Sequence, residues 1–418
     1  MTAAGRVQLG LRENAAQFAL LVAVNAFVGA IVGLERSTLP LIGRDDFGLA
    51  SSAAVLSFIV AFGLAKAVTN LGAGALADRL GRRRLLIAGW TIALPVPLLI
   101  AAAPSWAWVV AANVLLGVNQ GLAWSMTVVM KIDLVGPKRR GLALGLNEAA
   151  GYGGLALAAA LSGWLASEYA ARDVLVAGGA AIAVTALVVT ALFVRDTAAH
   201  VAVEQGGHAG ADMSRAPALG AAFADGSYRV PGLRACSQAG LVNNLNDALS
   251  WGLVPLFLAA HGAGPARIGL VAGLYPAVWG IGQIWTGHWS DTAGRKPLIV
   301  AGMLVQAAAL AALALSEGEI WLAAATAILL GAGTALVYPT LIAAISDAVA
   351  PVARAPAVGV YRFWRDSGYV AGGLIAGLIA DAVSAAAAIG AVAALTALSG
   401  LWVAHDLAAS VDLSRAGG

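Results

Sequence analysis

The stretch GALADRLGRRRLL at Gly74–Leu86 recurs as GHWSDTAGRKPLI at Gly287–Ile299, 213 residues later in a chain of 418. Each copy follows one long apolar run and precedes another. A loop repeated at half-length inside an apolar chain requires two like halves, each built from helices long enough to cross a bilayer. The repeat extends further. At an offset of 214, Gly117 pairs with Gly331, Asp133 with Asp347, Pro137 with Pro351, Arg140 with Arg354 and Gly145 with Gly359, while Pro40 answers Pro255.

Hydrophobic residues make up 60% of the chain and charged residues 11%, with a mean hydropathy of +0.83. A soluble domain carries roughly a quarter charged residues, so a soluble enzyme is excluded. Runs that reach the ~20 residues needed to cross hydrocarbon predict twelve spans, near 15–42, 51–76, 84–103, 106–132, 142–167, 173–194, 235–260, 267–289, 298–316, 320–348, 355–380 and 384–404. The first run is too long for a signal-peptide core and is kept as a span. The expected division is a six-helix bundle over 1–194, a linker over 195–233 and a second six-helix bundle over 234–418. The linker, Arg195–Gly232, is polar and lacks steady periodicity; its piece Ala218–Phe223 is amphipathic enough to lie on a membrane surface.

An even number of spans puts both ends on one side. Loops on that side hold seventeen Lys and Arg, and the opposite loops hold only Arg44, Arg172 and Arg267. The positive-inside rule therefore places both termini in the cytoplasm of a multi-pass protein of the cytoplasmic membrane. This also accounts for the net charge of +3 without a nucleic-acid partner. One cysteine, Cys236, allows no internal disulfide, and the chain has no Gly-x-x-x-x-Gly-Lys-Ser/Thr loop for ATP. No cofactor is expected, and a monomer is.

The two repeated loops resemble the Gly-x-x-x-Asp-x-x-Gly-Arg-Lys/Arg motif of the major facilitator superfamily, through Gly74, Asp78, Gly81, Arg82 and Arg83 and through Gly287, Asp291, Gly294, Arg295 and Lys296. The resemblance implies a secondary transporter whose two bundles rock about a central cavity lined by helices one, four, seven and ten. It also implies that these loops, with Asp133, Arg140, Asp347 and Arg362, form a latch, the first copy closing on helix eleven. Two departures argue against the drug/proton antiporters of the superfamily. Asn113 stands where they carry an arginine, and Gly151–Gly154 reads GYGG without their Gly-Pro kink.

Charges at mid-bilayer cost roughly 2.5–3.5 kcal/mol each on insertion scales, so each needs a role. In span four, Asn113, Gly117, Gln120, Trp124, Thr127 and Lys131 share one helical face; Lys131 alternatively snorkels to the surface. Span one offers Asn25 and Arg36 with Glu35 beside them, and span two Lys66 and Asn70, whose repeat mates are Trp279 and Gln283. Span seven adds Asn243, Asp247 and Trp251. Tyr275 and Gln283 from span eight, Tyr338 from span ten, and Arg365 and Tyr369 from span eleven complete the candidate cavity. Desolvation favours the protonated form of a carboxylic acid, which makes Asp247 and Glu35, then Glu148, the candidate proton carriers; fixed ion pairs are the alternative for each. In span eleven Arg362, Arg365, Asp366 and Tyr369 lie on one face, and two arginines there suit carboxylate or phosphate. They serve equally well as ion-pair partners of the Asp78 loop. Met126 and Met130 are a weak candidate for Cu(I) and a good one for packing.

The function these features predict is proton-coupled movement of a small polar or anionic solute, export favoured over import. The alternatives are a multidrug proton antiporter and a non-transporting sensor or scaffold of the same fold.

Overall fold

The computed structural model describes residues 7–136, 140–206, 219–349 and 353–415, and these are helical throughout their long elements. The twelve long helices are α1 (Ala15–Asp45), α2 (Ser52–Leu80), α3 (Arg82–Ala101, broken at Leu94 before Pro95), α4 (Trp106–Val135), α5 (Arg140–Leu165), α6 (Ala171–Phe193), α7 (Pro231–Ala260), α8 (Pro265–Ala293), α9 (Arg295–Ala314), α10 (Ile320–Ala348), α11 (Arg354–Ala382) and α12 (Ala385–Arg415). Among the described residues nine of them are long and apolar enough to cross a bilayer on composition alone. The other three, α5, α7 and α11, are the glycine-rich and polar ones that carry much of the site. The predicted spans and the helices agree to within a few residues where apolar runs meet turns. They diverge most at the start of α7 and the end of α12, where helices continue past the apolar stretch.

The helices alternate in direction and form two pseudo-symmetric six-helix bundles. The start of α1, the end of α12 and the described parts of the linker lie at one end of the molecule, the linker end; the other is the far end. Within the bundles α1 lies along α5 and α7 along α11, while α2 lies along α4 and α8 along α10. Glycine makes these pairs close. A Cβ on Gly154 would run into the Ala26 carbonyl, and one on Gly368 into the Leu241 carbonyl. Small residues let backbones approach where lipid offers no hydrophobic drive to association.

The signature loops form the tight turns α2–α3 and α8–α9. Their second glycines, Gly81 and Gly294, take φ of +89° and +88°, a left-handed conformation that side chains resist. In the first copy Arg82 Nε donates to Asp133 Oδ2 at 3.1 Å, and in the second Arg295 Nε donates to Asp347 Oδ2 at 2.9 Å. Both pairings stay within one half. Arg83 donates to the carbonyls of Val194 and Ala191, and Thr197 Oγ1 donates to Asp133 Oδ2 at 2.6 Å, so the first loop is tied to the start of the linker. The side chains of Asp78, Asp291 and Arg140 lie outside the described residues, as does any contact of Asp78 with α11. Gly74 and Gly287 sit inside α2 and α8.

The linker is more ordered than its composition predicts. Short helices span Ala198–Gly206 and Leu219–Ala224, followed by a π turn at Asp225–Arg229; residues 207–218 lie outside the description. Leu219–Ala224 docks on α11. Its Phe223 ring sits 5.7 Å from Phe363 and 5.9 Å from Trp364, and Trp364 Nε1 donates to Ser227 Oγ at 2.8 Å.

Between the halves, the most extensive contacts run along α2/α11 and α5/α8. Gly63 abuts Tyr369, Gly373 abuts Val60 and Gly377 abuts Ala53; on the other side Gly280 abuts Tyr152, Gly273 abuts Ala156 and Gly163 abuts Gly269. These contacts extend from mid-membrane to the far end. The far end is therefore closed.

Candidate functional site

A layer of charge and aromatic rings crosses the middle of the molecule where the halves meet. On α1, Arg36 is fully buried, and its Nε, Nη1 and Nη2 make no hydrogen bond. Its guanidinium carbon lies 4.6 Å from the Phe62 ring centre, 5.3 Å from Trp251 and 5.6 Å from Phe58. Desolvated cation–π contacts of this kind contribute about 2 kcal/mol each. They offset part of the cost of an unpaired buried charge, which is several kcal/mol. Glu35 precedes it, buried, with Oε2 unpaired.

On the linker side of Phe62 the cations are paired. Lys66 Nζ stands 3.6 Å from Asp366 Oδ1, and Arg365 Nη1 donates to the same oxygen at 3.4 Å. Asp366 also accepts from Asn70 Nδ2 at 2.5 Å and from Asn244 Nδ2 at 3.5 Å. Four donors from three helices thus converge on one carboxylate. Arg365 reaches across to the other half, where its Nη2 donates to the Tyr152 hydroxyl at 3.0 Å, and its guanidinium covers Tyr338 at 4.3 Å. A small pocket opens here, lined by Lys66, Asn70, Trp124, Ser125, Tyr338, Arg362, Arg365 and Asp366.

Asp247 on α7 accepts from the hydroxyls of Tyr275 and Tyr369. Glu148 on α5 accepts from Trp124 Nε1 at 3.0 Å and Asn147 Nδ2 at 3.1 Å. Trp251 lies against Tyr369 and Tyr275, Tyr275 and Tyr152 lie against Trp279, and Tyr152 lies against Trp124, so an aromatic band runs from Asp247 to Glu148.

The family model of the Major Facilitator Superfamily matches residues 14–233 and 236–414. This chain belongs to that superfamily. A structure of a mutant nucleoside transporter NupG is similar, with a TM-score of 0.72 at 14% identity over 93% of this chain and 98% of that one. A bacterial homologue of the human lysosomal transporter Spinster, in an inward-facing and unoccupied conformation, matches with a TM-score of 0.72 at 16% identity over 96% of this chain and 97% of that one. At these identities the likeness is one of fold. Membership of the superfamily makes the chain a multi-pass membrane transporter for small molecules.

Of the residues singled out from the sequence, the superfamily fold brings Glu35, Arg36, Lys66, Trp124, Glu148, Asp247, Trp251, Tyr275, Tyr338, Arg365 and Tyr369 into this layer. Others lie apart from it. Asn243 accepts from Gln306 Nε2 at 3.0 Å, and the network continues through Asn246 to Thr396, tying α7 to α9 and α12. Asn25 donates to the Asn147 carbonyl and accepts from Thr127, and Gln120 donates to the Val28 carbonyl. Lys131 is fully buried rather than snorkelling and donates to the Leu21 carbonyl at 3.1 Å. Asn113, by contrast, lies beside Glu35 at the edge of the layer and donates to the Val109 carbonyl of its own helix. Gln283 is buried on α8 with Nε2 unpaired.

Tyr152 and Phe62 are site residues that sequence reasoning passed over. Neither is charged. Tyr152 lies in a glycine run that reads as packing, although a lone large ring among glycines is itself a signal.

Proposed function

We propose that this chain is a proton-coupled secondary transporter for a small polar solute, preferentially an anion, working by alternating access and favouring export. The observation that carries the charge preference is the lining of the pocket beside Asp366: three cations, Lys66, Arg362 and Arg365, against one carboxylate, Asp366. An arginine fork suits carboxylate or phosphate, and Arg36 next door supplies a third guanidinium with no hydrogen bond to give up.

Proton carriage is assigned to Asp247 and Glu35, then Glu148. All are buried: Asp247 accepts from the Tyr275 and Tyr369 hydroxyls, Glu35 adjoins Arg36, and Glu148 accepts from Trp124 and Asn147. The units are 1–194, 195–233 and 234–418, with the linker end and both termini in the cytoplasm. The signature loops act as the cytoplasmic latch, the first closing on α11 when the cytoplasmic end shuts; in this state Arg82–Asp133 and Arg295–Asp347 hold each loop within its own half. With the far end closed, this is the state that faces the cytoplasm.

The test is counterflow and pH-gradient-driven flux of radiolabelled organic anions and of neutral analogues in proteoliposomes. Saturable anion flux accelerated by an imposed pH gradient is expected. Flux of neutral analogues alone would reject the anionic reading, and binding without counterflow would favour a sensor. Export of hydrophobic compounds is the second reading, favoured by a small apolar pocket behind Trp251 and Tyr275, between α7, α8, α9 and α10.

A further inference from the structure

The two seams that join the halves are built on one plan and filled with different chemistry. Lys66 and Trp279 each stand eight residues before the first glycine of their signature loop, and Tyr152 and Asp366 each stand seven residues after the paired glycines Gly145 and Gly359. They are therefore equivalent positions. In the α2/α11 seam the two positions hold the Lys66–Asp366 ion pair, at 3.6 Å. In the α8/α5 seam they hold Trp279 stacked on Tyr152, ring centres 3.6 Å apart and 31° from parallel.

The same substitution of chemistry repeats at the far end. Asp381, at the end of α11, accepts from Ser51 Oγ at 2.6 Å, from the Ser52 backbone N–H at 2.6 Å and from the Ala53 N–H at 3.1 Å. A carboxylate from one half thus caps the first turn of a helix in the other, where free N–H groups and the helix dipole favour negative charge. The equivalent of Ser52, the first residue of α8, is Pro265, which has no N–H to give. The equivalent of Asp381 is Ser167, whose hydroxyl donates to the Trp164 carbonyl of its own segment at 2.6 Å. Around them that seam is Gly163 against Gly269 and Ala156 against Gly273.

Charge-assisted hydrogen bonds are directional, and they are either made or broken. Ring stacks and glycine contacts tolerate sliding and tilting while remaining in touch. We infer that the halves pivot on the α5/α8 seam and open through the α2/α11 seam, and that Asp381 is the positioning residue that holds the far end shut. This rests on the alternating-access reading, but its test requires no transported solute.

Cysteines at Ala50 and Val383 report the α2/α11 seam, and cysteines at Tyr169 and Arg267 report the α5/α8 seam. All four are exposed, and the buried Cys236 is first replaced by Ala. Spin-label distances in nanodiscs are then measured in the parent, in Asp381→Ala and in Ser52→Pro. The proline variant removes one N–H at a helix position that accepts proline, after a Ser51 already extended at φ −81° and ψ 123°. Both variants are expected to give the Ala50–Val383 pair a longer-distance population while the Tyr169–Arg267 pair keeps its parent distribution. Equal lengthening across both seams, movement confined to Tyr169–Arg267, or no change at either seam in whichever variant folds would overturn the inference. A failure of anion flux with these distance changes intact would reject the proposed solute and leave the hinge standing.

Discussion

Arg36 and Trp251 occupy equivalent places in the two halves, each four residues before the proline inside its helix, Pro40 in α1 and Pro255 in α7. They also touch, the guanidinium carbon lying 5.3 Å from the indole centre. The molecule's pseudo-symmetry thus brings a cation and its aromatic wall to the same point, and the asymmetry of the site begins there.

Because Arg36 makes no hydrogen bond in this state, its removal should separate function from stability. Arg36→Leu is expected to abolish anion flux. It is also expected to change the stability of the purified protein little, because no hydrogen bond is lost. Flux assays and thermal unfolding of the same preparation check both. A destabilised variant with intact flux would show that the charge is structural.

Asp366 should behave in the opposite way. Asp366→Asn leaves Lys66 and Arg365 without their shared counter-charge, which is expected to cost about 3–5 kcal/mol. The double variant Lys66→Met with Asp366→Asn is expected to recover part of that loss. A double-mutant cycle by thermal unfolding reads the coupling.

Asn243 should prove to be scaffold. Asn243→Ala breaks its bond to Gln306 and is expected to lower stability by about 1–3 kcal/mol while leaving the affinity for a transported anion unchanged. A change in affinity with unaltered stability would return Asn243 to the cavity wall.

Asp247→Asn is expected to keep solute exchange and lose acceleration by a pH gradient. Retained coupling would pass the role to Glu35 or Glu148.

The far-end contact should be silent over the same pH range. Burial alone would raise the Asp381 carboxyl, but the donors Ser51 Oγ and the N–H groups of Ala53 and Ser52 outweigh it and hold it below the usual carboxylate range. A depressed acid contributes stability above its unfolded value, and that contribution is lost as pH falls through the folded one. Between about pH 5 and 8 the α2/α11 distance is therefore expected to stay constant; a shift in spin-label distance inside that window would contradict it.

The helices were legible because apolar runs of bilayer length have one stable solution, and the doubled architecture was legible because Gly81 and Gly294 must recur where a left-handed turn recurs. The site was harder. In α7, residues 243, 244, 246 and 247 are all polar and cover most of a helical turn, so periodicity does not say which of them faces the other half. Only the neighbours decide: Gln306 claims Asn243, and Tyr275 and Tyr369 claim Asp247. Lys131 shares a helical face with Trp124, yet its ammonium bonds the Leu21 carbonyl of α1. That destination depends on how α1 crosses α4, which no local spacing encodes.

Two walls of the Arg36 box come from α2 and the third from α7. A ribosome delivers these far apart in time. When α1 and α2 have entered the bilayer, the guanidinium has Phe58 and Phe62, but Trp251 lies 171 residues beyond the end of α2 at Leu80. Until then the nascent first half holds a charge whose insertion cost of roughly 2.5–3.5 kcal/mol is only partly met. Completion of the second half is what seals it, so an N-terminal fragment made alone carries an exposed defect that membrane quality control can recognise.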